Sequence, residues 1–144
     1  MKDYQHILLA VDLSDGSRDV GLRARDMAAR YSARMSVMHV VEYLPVEPMG
    51  EALLPAINME DELVKTARRR LDNLVEELGV DLVQHQVVVG NIKAEIVNYA
   101  RENAVDLIVL GSHERHGLSV LVNLAEDTVL HASPCDVLAV RIRD

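Results

Sequence analysis

The chain has 144 residues, 49% of them hydrophobic, which is enough for one domain (residues 1–144) with a full core. A formal net charge of −8 argues against nucleic acid or an anionic membrane as a partner, and the lack of Trp and Phe leaves few rings for base stacking. No apolar run approaches the roughly 18 residues of a membrane span, the N-terminus has no cleavable signal pattern, and the single cysteine, Cys135, allows no internal disulfide; a reducing cytoplasm is the expected location.

The first element is the apolar run His6-Ile-Leu-Leu-Ala-Val11, too short for a helix and read as a strand buried on both faces. Asp12-Leu-Ser-Asp-Gly16 is a turn rich in capping side chains. Val20, Ala24, Met27, Ala28 and Tyr31 recur at helical spacing, so a helix is expected to end near Ser32. Met35 to Val41 is a second strand. Glu42 to Ile57 contains Pro and Gly without a clear period and reads as a long loop, of the kind that covers or flanks a site.

Asn58 is expected to cap a helix whose apolar stripe is Met59, Leu63, Ala67, Leu71, Leu74 and Leu78, with Gly79 as its C-terminal cap. Val83 to Val89 reads as a third strand, and Gly90-Asn91 as a turn into a short helix carrying Ile92, Ile96 and Ala100. Leu107 to Leu110 is a fourth, fully buried strand. It is followed by a polar loop from Gly111 to Gly117 and a helix marked by Leu118, Leu121, Val122, Ala125 and Val129. Pro134 precedes a fifth strand, Val137 to Val140. The alternation predicts an α/β fold, a doubly wound parallel sheet with about four helices.

Ligands in such sheets bind beyond the carboxyl ends of the strands, which draws attention to Gly111-Ser-His-Glu-Arg-His-Gly117. His113 and His116 have Glu114 between them, but nothing in the spacing makes three or four metal ligands converge, and a solvated polar loop is the simpler account. Ser112 and His113 are adjacent, an arrangement that seldom gives attack geometry, and no Gly-x-Ser-x-Gly elbow exists. His6 and His39, in apolar strands, read as packing residues with one satisfied nitrogen. Cys135 reads as a small buried hydrophobe, and Arg68-Arg69-Arg70 as a solvated face.

The opening Ile7-Leu-Leu-Ala-Val-Asp-Leu-Ser14, the strand Met38-His-Val40, the Gly90 turn, Asp106-Leu-Ile-Val-Leu-Gly-Ser-His113 and Ala132-Ser-Pro-Cys-Asp-Val-Leu-Ala-Val140 together resemble the universal stress protein family, along almost the whole chain. The resemblance implies an adenine nucleotide alpha-hydrolase-like sheet of order 3-2-1-4-5 that commonly dimerises through its last strand, here Val137 to Ile142. Many members bind ATP through Gly-x-x-Gly and a later Gly-Ser or Gly-Thr pair. Carried over, the nucleotide-binding candidates are Asp12, Val40, Leu110, Gly111, Ser112, His113, Glu114, Asn123 and Leu124. Asp12, Val40, Leu110 and Gly111 stand at matching strand ends, positions that the shared fold requires whatever the ligand.

The departures fall on the phosphate half. The second glycine is Glu114, and the Gly-Ser pair falls on Asn123-Leu124. A carboxylate facing polyphosphate about 5 Å away at an effective dielectric of about 20 is repelled by roughly 3 kcal/mol, a loss on the order of a hundredfold in affinity. Arg115 and His116 would offset part of it. The reading is therefore a non-enzymatic stress-response binding or regulatory protein, a homodimer without a cofactor or metal. The alternative is a member taking ATP or AMP with Mg²⁺ in a modified phosphate loop. A slow ATP hydrolase is the weakest reading, with only His113, Glu114 and His116 as candidate groups.

Overall fold

The computed structural model describes residues 3–42, 53–114 and 129–143. Its elements are β1 (His6–Ala10), α1 (Ser17–Tyr31), β2 (Arg34–Val41), α2 (Leu53–Leu78), β3 (Gln84–Val89), α3 (Ile92–Glu102), β4 (Leu107–Glu114) and β5 (Asp136–Arg143). Residues 129–132 are helical as well. All strands run parallel in the order β3-β2-β1-β4-β5, as the family resemblance implies.

The period-two alternation of a strand sorts the apolar run of β1 onto both faces. Ile7 and Leu9 join Val20, Ala24, Leu71 and Leu78 in a core under α1 and α2, whereas Leu8 and Ala10 join Ile96, Tyr99 and Ala100 under α3. In β4, Leu107 and Val109 face the first core and Ile108 and Leu110 the second. This double burial explains why β1 and β4 read as continuous hydrophobic runs. Among the described residues no helix is long and apolar enough to cross a membrane.

The helix ends follow local chemistry. Ser32 closes α1 in the left-handed conformation at φ 52°. Gly79 closes α2 at φ 60°, its amide donating to the Val75 carbonyl, as expected of a C-terminal glycine. The Asn91 side chain caps α3 by accepting from the Ala94 amide at 2.9 Å.

Three expectations need correction. Helix α2 begins at Leu53, so Asn58 is an interior position, not a cap, and residues 53–57 of the expected loop are helical. Pro55 is compatible with this, because the amides of a first helical turn have no intrahelical acceptor to lose. The rest of that loop, 43–52, lies outside the described residues. In addition, Gly111-Ser112-His113-Glu114 is not loop. These residues continue β4 in register with Val140, Arg141, Ile142 and Arg143, which carries β5 past the expected Val140.

Candidate functional site

The site is organised by the turn between β1 and α1. Leu13 has a left-handed backbone at φ 61°, a strained state for a branched side chain, and such residues persist only where the surroundings over-determine them. Here the Leu13 side chain is buried in the core under α1 and α2, and its carbonyl accepts from Nη2 of Arg70 on α2. The reversal leaves Asp12 facing the ends of the strands. Its Oδ1 accepts from the Ser14 amide at 2.9 Å and from the Ser17 hydroxyl at 3.1 Å. Its Oδ2 lies 2.6 Å from Nε2 of His113.

Burial raises the Asp12 carboxyl. The Ser14 amide and the His113 imidazole outweigh that effect and hold it at about 2, below its ordinary 3.8. Asp12 is therefore ionised at neutral pH, and His113 Nε2 carries the proton of this contact. The two partners differ in environment: the His113 side chain is 4% exposed and that of Asp12 51%. The expected solvated loop is thus corrected at His113. Because β4 continues through it, the imidazole is carried inward and packs against the β1–α1 turn.

Gly111 serves packing. Its backbone belongs to the ladder with β5, and a Cβ on it would stand 2.5 Å from Ile142 Cδ1 and 3.2 Å from Val20 Cγ2. Gly16 presses on the same side chain, since a Cβ there would meet Ile142 Cγ2 at 2.4 Å. Two glycines from opposite ends of the chain thus make room for one β5 isoleucine.

Val40 and Leu110 are brought together in the core under α3, on the sheet face opposite Gly111 and His113. Ser112 is half-buried in β4. Glu114 ends that strand, and Asn123 and Leu124 lie outside the described residues. The structure therefore brings Asp12 and His113 into contact, and it places Val40 and Leu110 in one core on strands separated by β1. Among the described residues no three His, Cys, Asp or Glu side chains converge as metal ligands.

Sequence reasoning missed Leu13, Ser17 and Arg70 as parts of the site. The capping character of Asp12 to Gly16 gave a signal for the turn. Arg70, 57 residues further on in a helix, gave none. Arg70 is exposed, as the solvated-face reading expects, and it lines a cavity of about 340 Å³ between the turn and α2 with Ser14, Arg18, Asn73 and Glu77. Arg18 and Glu77 pair there at 3.4 Å. Cys135 is only half-buried, and burial raises its thiol, so it is a poor nucleophile.

Comparison with known proteins bears on this arrangement. The family model described as "Universal stress protein family" matches residues 3–141. The chain is 37% identical over 142 residues to universal stress protein A homolog 1 of Coxiella burnetii, covering 98% of this chain and 99% of that one. It is 26% identical to the solved universal stress protein UspA from Lactobacillus plantarum, with a TM-score of 0.72 and coverage of 98% and 100%. A universal stress protein solved in complex with cAMP is 22% identical with a TM-score of 0.63, covers 96% of this chain and 98% of its own, and attests the fold alone.

Proposed function

Because the chain belongs to the universal stress protein family, we propose that it works by binding and regulation in stress survival, without turnover and without holding ATP tightly. The observation that carries this reading is the state of the phosphate side. Where many members have a glycine-rich loop, this chain runs Gly111 to Glu114 as strand, with Gly111 packed on Ile142. Both Asp12 oxygens, moreover, are already engaged by Ser14, Ser17 and His113. A nucleoside hydroxyl approaching Asp12 must displace one of these partners and gains only the difference.

The test restores the signature. The triple variant Glu114→Gly, Asn123→Gly, Leu124→Ser is expected to bind ATP at least tenfold more tightly than the parent in calorimetric titrations. Equal affinities would sink the explanation. A second reading, an adenine-nucleotide binder preferring AMP or adenosine, is favoured by the cAMP held by the structural neighbour and by changes that fall on the polyphosphate end only.

The proposal includes cytoplasmic residence and a homodimer. The dimer is supported by β5, an edge strand of the sheet carrying Val137, Val140 and Ile142. Unpaired apolar edges invite pairing, so they are rarely left open. Sedimentation at micromolar concentration is expected to give a dimer, and a monomer removes this part.

A further inference from the structure

The peptide group between Leu13 and Ser14 is gripped at both ends. Its carbonyl accepts from Nη2 of Arg70 on α2, and its N–H donates to Asp12 Oδ1 at 2.9 Å. In a trans peptide these two groups point in opposite directions, so one rigid plane joins a helix outside the site to the carboxylate within it. The left-handed backbone of Leu13, at φ 61°, belongs to the tilt of that plane.

The carbonyl before Asp12 is held as well. Val11 O lies 2.7 Å from Nδ1 of His39 on β2, and since a carbonyl only accepts, Nδ1 carries the hydrogen. Asp12 therefore stands between two pinned carbonyls, Val11 tied to β2 and Leu13 to α2. His39 has the one satisfied nitrogen expected of it. His6 departs from that expectation, with Nδ1 2.9 Å from the Asn103 carbonyl and Nε2 2.7 Å from Ser36 Oγ.

Of the two pins, Arg70 is the one that always carries a charge. Among the described residues it forms no ion pair, and the neighbouring Glu77 pairs instead with Arg18 at 3.4 Å. Its cation thus bears on a neutral carbonyl. A charged donor makes the stronger hydrogen bond, and hydrogen bonds in series polarise one another. The guanidinium therefore makes the Ser14 N–H a better donor to the Asp12 carboxylate. It also holds in place a left-handed leucine, which relaxes wherever its neighbours do not fix it.

We infer that Arg70 is a positioning residue for Asp12, acting through the Leu13–Ser14 peptide, and that α2 is thereby a lever on the site at the strand ends. Arg70 makes its hydrogen bond to the backbone, not to Asp12 or His113. Its side chain is exposed and borders the cavity beside α2, so the grip on Asp12 can be altered from outside the Asp12–His113 contact. The use of such a lever rests on the reading of Asp12 given above.

The experiment compares the full chain with Arg70→Met, which keeps a long stem but no charge or donor, and with Arg70→Lys, which keeps a cationic donor. Amide hydrogen exchange is followed at Ser14, and the Asp12 carboxyl is followed by NMR titration. The Ala94 amide is the control, because its bond to Asn91 Oδ1 caps α3 on the opposite face of the sheet from α2.

In Arg70→Met, Ser14 is expected to exchange at least about tenfold faster while Ala94 keeps its rate. Asp12 is expected to rise from about 2 toward 3.8. Arg70→Lys should keep both close to the parent. An unchanged Ser14 rate or an unchanged Asp12 titration in Arg70→Met would overturn the inference. So would equal acceleration at Ser14 and Ala94, the mark of general destabilisation, or a Lys variant as loose as the Met one. No nucleotide enters these measurements, so they succeed or fail apart from the question of ATP binding.

Discussion

Replacing Gly111 with Val is expected to cost about 3 kcal/mol of folding stability, the upper part of the range for overpacking a filled core. The new Cβ would stand 2.5 Å from the Ile142 side chain. An isoleucine tip on an open surface would swing aside at little cost. Ile142 has no such retreat, because it is buried and pressed from the other side by Gly16. The strand must therefore shift, and with it the register that carries His113 to Asp12. Removing the obstruction should rescue the change: Gly111→Val with Ile142→Ala is expected to cost at least about 1 kcal/mol less than the two single costs added together. Additive costs in denaturant unfolding would show that Gly111 is not held by this contact.

His113→Ala is the second large effect, at about 2 kcal/mol, the scale of a hydrogen bond to a charged group lost together with buried packing. Its signature is electrostatic as well as energetic. Without the imidazole, the Asp12 carboxyl is expected to rise from about 2 toward 3.8 in an NMR titration. A group whose pKa is lowered by folding stabilises the native state above its unfolded value and loses that contribution as pH falls through the folded one. The gap in stability between parent and variant should then be full above about pH 4 and narrow as pH falls toward 2. An unchanged Asp12 titration would mean that Ser14 alone holds it.

The chain's regular parts were legible because burial on both faces writes itself into composition. His6 to Ala10 and Leu107 to Leu110 have no polar residue on either face after His6, and only a strand covered by two helical layers tolerates that. Caps at Ser32 and Gly79 were legible for the same local reason. The strand order was not in the periodicity and came from the resemblance to a family.

Two misreadings share a cause, which is that distant partners overrode local preference. Gly111-Ser-His-Glu has the composition of a loop, yet β5 pairs with it to its last residue. The stretch from Leu53, with Pro55 in it, lacks a helical signature, yet it forms the first turns of a helix 26 residues long. The site was half legible. Asp12 stands out as a carboxylate at the end of a buried strand, but its partner at position 113 depended on strand register, and Arg70 on how α2 docks.

The most direct test of the central claim is calorimetric titration of the dialysed protein with ATP, with and without Mg²⁺, beside AMP and adenosine. The account predicts no heat of ATP binding at tens of micromolar protein, because Glu114 replaces the second signature glycine, Asn123-Leu124 replaces the Gly-Ser pair, and Asp12 is already engaged. Micromolar ATP binding by the unaltered chain would contradict it and make the protein a nucleotide sensor with another way of holding phosphate.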